Sequence, residues 1–129
     1  MSQESHKKDL KALIELAQKL RSDTGCPWDR EQTIASMLKC VEDESHEVRQ
    51  AIENGDHDNL REELGDLLFQ IIMIAQIAEE QEYFNMDQVM SGIYDKILSR
   101  HTWVFGNDKA TTPEEALALW KQNKSKERK

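Results

Sequence analysis

The chain has 129 residues, 33% charged and 38% apolar, with 5 Gly and 2 Pro; this is one domain's length and a helix-rich composition, too poor in turn residues for a many-stranded sandwich or barrel. Its formal net charge of −8, from 25 acids against 17 bases, argues against stable nucleic-acid binding and against docking on anionic membranes. Two cysteines, Cys26 and Cys40, are too few for a disulfide framework. No apolar run spans a membrane and the polar start does not read as a signal peptide, so a cytoplasmic location is expected.

Leu10, Leu13, Ile14, Ala17 and Leu20 recur at intervals of three and four, which predicts a first helix over about 4–22, stopped by Ser22-Asp23-Thr24-Gly25. Cys26-Pro27-Trp28-Asp29 then reads as irregular, with its Pro and Trp outside any helix. A second helix is predicted from about Thr33 to the stop signal Asn54-Gly55, with Ile34, Met37, Leu38, Val41, Val48 and Ile52 as its apolar positions. Asp58 reads as the N-cap of a third helix ending near Gln81. Within it 11 of the 15 residues over 64–78 are apolar, so it is expected to be nearly surrounded by protein. Asn85 caps a fourth helix with Met86, Val89, Met90, Ile93 and Ile97 inward, and a loop over 101–111 follows. Thr112-Pro113-Glu114-Glu115 has the order of an N-cap, a first-turn Pro and dipole-favoured acids. The helix it starts runs through Trp120 and dissolves into a basic, frayed tail over 121–129. No strand or repeat is apparent. The fold class is all-α, a four-helix-bundle-like core with a short C-terminal helix in a single domain over 1–129.

The informative anomaly is acidic. At about 100° per residue, Glu44 lies within about 40° of Met37, Val48, Ala51 and Cys40, inside the apolar stripe of the second helix, with Glu47 at its edge. On the third helix Glu63 lies within about 40° of Ile74, Leu67 and Ile77, with Asp66 about 60° away. Two consecutive helices joined by a short turn pack antiparallel, which can bring the two carboxylate pairs together. Four such charges in one semi-buried place need neutralising by protons, by basic residues or by cations. All-oxygen ligands at this density suit a hard cation such as Mg²⁺ or Mn²⁺, which in turn recruits phosphates. Solvated helix faces are the plainer explanation of any single ExxE spacing; placement inside apolar stripes on adjacent helices is what sets these apart.

The runs "CPWDREQT", "EDESHEVRQAIENGDHDNLREELGDLLFQIIMIAQIAEE" and "KILSRHTWVFG" resemble the MazG-type nucleoside triphosphate pyrophosphohydrolases, over about residues 10–120. The family signature, ExxE on one helix and ExxD on the next, stands here as Glu44-Ser45-His46-Glu47 and Glu63-Leu64-Gly65-Asp66. The resemblance implies an all-α fold and Mg²⁺-dependent hydrolysis of a nucleoside triphosphate to the monophosphate and pyrophosphate. It implies Glu44, Glu47, Glu63 and Asp66 as metal ligands, Lys96 and Arg100 as phosphate contacts, Trp120 near the nucleotide, and Trp28 with Asp29 near the base. It further implies a homodimer or higher homo-oligomer, and work in nucleotide-pool housekeeping. The chain departs from the family's common pattern at Asp43, where a second Glu is usual, at Ile34, where His follows Gln-Thr, and over 99–103, where Arg-Arg-His-Pro-His is common.

The chemistry fits the residues. Attack at the α-phosphorus needs charge neutralisation, an oriented water and a leaving pyrophosphate. Glu47, at the stripe edge, is the expected general base, and Arg100 can take phosphate oxygens with a bidentate fork. Cys26 and Cys40 read as small buried hydrophobes. A ferritin-like di-iron bundle would want a core-facing Glu-x-x-His; the nearest match, Asp43-x-x-His46, points about 150° away from the stripe. Sibling enzymes acting on dUTP or phosphoribosyl-ATP, and a helical dimeric interaction module, are the alternatives.

Overall fold

The computed structural model describes residues 7–127; positions 4–6 of the expected first helix and 128–129 of the expected tail lie outside them. Every regular element among the described residues is helical: α1 Leu10–Leu20, α2 Pro27–Glu31, α3 Met37–Asn54, α4 His57–Glu80, α5 Met86–Arg100, α6 Thr102–Phe105 and α7 Pro113–Glu127. They fall into two compact units, one ending at Met86 and one starting at Asp87.

In the first unit Asp9 caps α1, its carboxylate accepting the Ala12 N–H at 2.9 Å. The chain then doubles back so tightly that a Cβ on Gly25 would stand 2.3 Å from the carbonyl oxygens of Leu20 and Lys19. Cys26-Pro27-Trp28-Asp29, expected to be irregular, opens the one-turn helix α2. Pro27 occupies its first turn, where a missing N–H costs nothing. α3 starts later than expected because Thr33 and Ser36 bond each other's backbone, Thr33 N–H to Ser36 Oγ at 2.8 Å and Ser36 N–H to Thr33 Oγ1 at 3.0 Å, a local turn that competes with helix. Gly55, left-handed at φ 65°, ends α3 as its sequence signals.

Asp56, not Asp58, caps α4: its backbone is extended and its carboxylate accepts the Asn59 N–H at 3.1 Å, while Asp58 sits in the first turn. The short link returns α4 along α3, and α1 packs on α4 as well. Ala17, Met37, Ala51, Ile72, Met73, Ala75, Ile77 and Ala78 form the core. Only the C-terminal half of α4 is enclosed. Leu64, Leu68 and Ile71, one stripe at i, i+4 and i+7, are exposed by 49%, 39% and 41%, against the expectation of a helix surrounded by protein.

In the second unit the expected 101–111 loop contains α6. The buried Asn123 amide ties its start to α7 by donating to Arg100 O at 3.1 Å and to Thr102 Oγ1 at 3.0 Å. α7 opens on the expected N-cap: Glu115 N–H donates to Thr112 Oγ1 at 3.2 Å, and the Glu115 carboxylate accepts the Thr112 N–H at 3.1 Å. The helix is not short, and no frayed tail begins at Lys121; it stays helical to Glu127. Ile93 and Ile97 of α5, expected inward, are exposed and line an open apolar groove with Met90, Tyr94, Leu98 and Phe105.

Candidate active site

Glu44 on α3 and Glu63 and Asp66 on α4 each offer a carboxylate oxygen, and these three atoms lie within 4.8 Å of one another. The i,i+3 spacing puts Glu63 and Asp66 on one side of α4, and the packed partner helix supplies Glu44. Glu44 and Glu63 are half-buried and Asp66 is exposed. Glu44 Oε2 is buried with no hydrogen-bond partner, a condition that a buried polar atom rarely tolerates. Burial, the hydrogen bond and charge of Glu44, and the charges of Asp66 and Glu47 push the Glu63 carboxyl up to about 7. Carboxylates gathered this closely either share a proton, which keeps one of them neutral, or hold a cation among them. An all-oxygen donor set with one unsatisfied oxygen fits a hard divalent ion. Glu47, read from the sequence with these three, is exposed and stands outside the group, although its charge reaches Glu63.

Arg100 and Trp120 meet within the second unit. The guanidinium carbon lies 5.1 Å from the centre of the Trp120 ring, and Lys124 Nζ lies 5.3 Å from it. Arg100 is 8% exposed, and its Nε donates to Glu127 at 3.0 Å. Ser99 Oγ donates to the same carboxylate; these bonds, with the charges of Arg100 and Lys96, hold Glu127 below the usual carboxylate range. Lys96 is exposed. The sequence reading did not single out Ser99, Lys124 or Glu127. Trp28, on α2, is 58% exposed and Asp29 is half-buried. Arg21, also missed, donates to the Asp29 carbonyl. It lies four residues after Ala17, on the apolar face of α1, the same anomaly that singled out Glu44. Cys26 and Cys40 are free thiols, half-buried rather than fully enclosed.

The MazG nucleotide pyrophosphohydrolase domain matches residues 32–105, which hold all four signature acids. The chain belongs to this family. It is 44% identical over 117 residues to a nucleoside triphosphate pyrophosphohydrolase of Escherichia coli, a match covering 90% of this chain and 44% of that protein. It is 36% identical over 116 residues to the nucleoside triphosphate pyrophosphohydrolase/pyrophosphatase MazG of Thermotoga maritima, again covering 90% of this chain and 44% of the relative. The chain thus spans less than half the length of these relatives. The crystal structure of a mazG-related protein from Thermotoga maritima superposes with a TM-score of 0.74 at 29% identity, covering 90% of this chain and 99% of that one. The all-α fold of this MazG chain and its family resemblance are therefore as expected from sequence.

Proposed function

We propose that this MazG chain hydrolyses nucleoside triphosphates to the monophosphate and pyrophosphate with Mg²⁺, which Mn²⁺ can replace. The observation that carries the reading is the carboxylate triad Glu44, Glu63 and Asp66, with Glu44 Oε2 buried and unpaired. The names of the relatives support the same reaction.

A divalent ion held by these acids supplies charge neutralisation on the triphosphate and lowers the pKa of water. Glu47, whose charge reaches Glu63, acts in this reading as the general base. It takes the proton of the attacking water as the new bond forms at the α-phosphorus; the bond to the bridging oxygen breaks and pyrophosphate leaves. Lys96 and Arg100 take phosphate oxygens; Trp120, against Arg100, and Trp28 with Asp29 take the nucleoside. The exposed stripe of Leu64, Leu68 and Ile71 favours a homodimer. We assign the activity to nucleotide-pool housekeeping in the cytoplasm.

A cation titration tests the reading. Mg²⁺ and Mn²⁺ are expected to raise the melting temperature and support turnover in the wild type, while Asp66→Asn loses both. Turnover that persists in chelator, or in Asp66→Asn, overturns it.

A further inference from the structure

Arg21 ends α1 with a side chain only 10% exposed. Its Nε and Nη2 donate to the two carboxylate oxygens of Glu80 at 3.0 and 2.6 Å, and its Nη1 donates to the backbone carbonyls of Asp29 and Gln32 at 2.6 and 2.8 Å. One planar guanidinium thereby joins the ends of α1 and α4 to the C-terminal end of α2. At that end the Asp29 carbonyl accepts the Gln32 N–H at 3.3 Å and the Gln32 carbonyl lies past the last turn, and a cation suits such a helix end. Hydrogen bonding from Arg21 holds Glu80 below the usual carboxylate range.

α2 has no buried residue of its own, so polar ties rather than a core fix its place. Arg21 supplies two of them. Arg30 adds another by donating from Nη1 to the Asp23 carbonyl at 3.4 Å, while Gln32 Nε2 braces the segment internally by donating to the Trp28 carbonyl at 2.9 Å. The segment held in this way carries an indole that is 58% exposed, a large apolar face spent on solvent.

We propose that Arg21, itself oriented by Glu80, is a positioning residue of the nucleotide site: it fixes α2 so that Trp28 and Asp29 meet the base of the substrate. The inference rests on the pyrophosphohydrolase reading above. A lysine cannot replace this arginine, because a single ammonium does not bridge two carboxylate oxygens and two carbonyls in one plane.

A double-mutant cycle of Arg21→Lys and Trp28→Ala, on the full chain with Mg²⁺ and a nucleoside triphosphate, tests it. Arg21→Lys is expected to raise KM about tenfold with kcat within about twofold, the pattern of lost binding rather than lost chemistry. The stabilisation by Mg²⁺ stays at its wild-type size. Trp28→Ala is expected to raise KM similarly, and the double variant by clearly less than the product of the two, since Arg21 acts largely through Trp28. Multiplying effects, a loss confined to kcat, or an unchanged KM in folded Arg21→Lys overturns the inference and leaves the activity standing. Glu80→Gln, which keeps the shape of the pair, is expected to raise KM in the same direction and serves where Arg21→Lys does not fold. A wild type that turns over no nucleoside triphosphate overturns the pyrophosphohydrolase reading itself.

Discussion

The Arg100 guanidinium faces the Trp120 ring at 5.1 Å while its Nε donates to Glu127 at 3.0 Å. A residue that the family resemblance marks as a phosphate contact is thus buried between an indole and a carboxylate, with one charge answering it and a π-face desolvating it. The same contact orders Trp120, so the two act as one unit. Arg100→Lys keeps the charge and loses the planar stack. It is expected to raise KM for a nucleoside triphosphate about tenfold and to leave the Mg²⁺-dependent thermal shift intact. Steady-state kinetics with differential scanning fluorimetry checks both.

Asp66→Asn separates stability from function. In the metal-free protein it removes one of three crowded carboxylates, so the melting temperature is expected to rise by a few degrees. With Mg²⁺ the order inverts: the wild type gains stability and the variant does not. A variant that melts below the wild type without metal contradicts the crowding.

Gly25→Ala tests the turn between α1 and α2. Its Cβ would stand 2.3 Å from two backbone carbonyl oxygens, so backbone has to shift. The expected cost is about 2 kcal/mol or more, read from the midpoint of urea unfolding. Gly65→Ala, whose Cβ meets nothing within 4 Å, is the control and is expected to be neutral or stabilising, by up to about 1 kcal/mol.

The Arg21–Glu80 pair carries a pH signature. Hydrogen bonding to Arg21 lowers the Glu80 pKa from its ordinary 4.5, so the pair's contribution is complete above that value and is lost as pH falls through the lower folded-state value. Glu80→Gln is expected to cost about 1 kcal/mol near neutral pH. That deficit shrinks on acidification below the Glu80 pKa. A deficit constant down to strongly acid pH contradicts the pairing.

Much of this was legible because helices write their faces into sequence. The stripe of α1, the Gly55 stop, the Thr112 cap and the inward Glu44 and Glu63 follow from a 3.6-residue period and local capping chemistry. α2 was missed because Pro27 and Trp28 look like breakers, although Pro is at home in a first turn. The burial of Arg100 was not legible: it depends on Glu127 and Asn123, more than twenty residues away, and periodicity carries no information about such partners. The open face of Leu64, Leu68 and Ile71 was misread for a related reason, since an apolar run reports hydrophobicity and not what covers it. Arg21 was readable and overlooked: a cation on the apolar face of α1 is the same signal, with the sign reversed, that singled out the acids.

The most direct measurement is the identity of the products. Wild type and Asp66→Asn are incubated with a panel of nucleoside triphosphates and Mg²⁺, the nucleotides are separated, and pyrophosphate and orthophosphate are assayed independently. Monophosphate and pyrophosphate in equal amounts, absent with Asp66→Asn, are expected from attack at the α-phosphorus. Diphosphate with orthophosphate, or products undiminished in the variant, would contradict a pyrophosphohydrolase built on Glu44, Glu63 and Asp66.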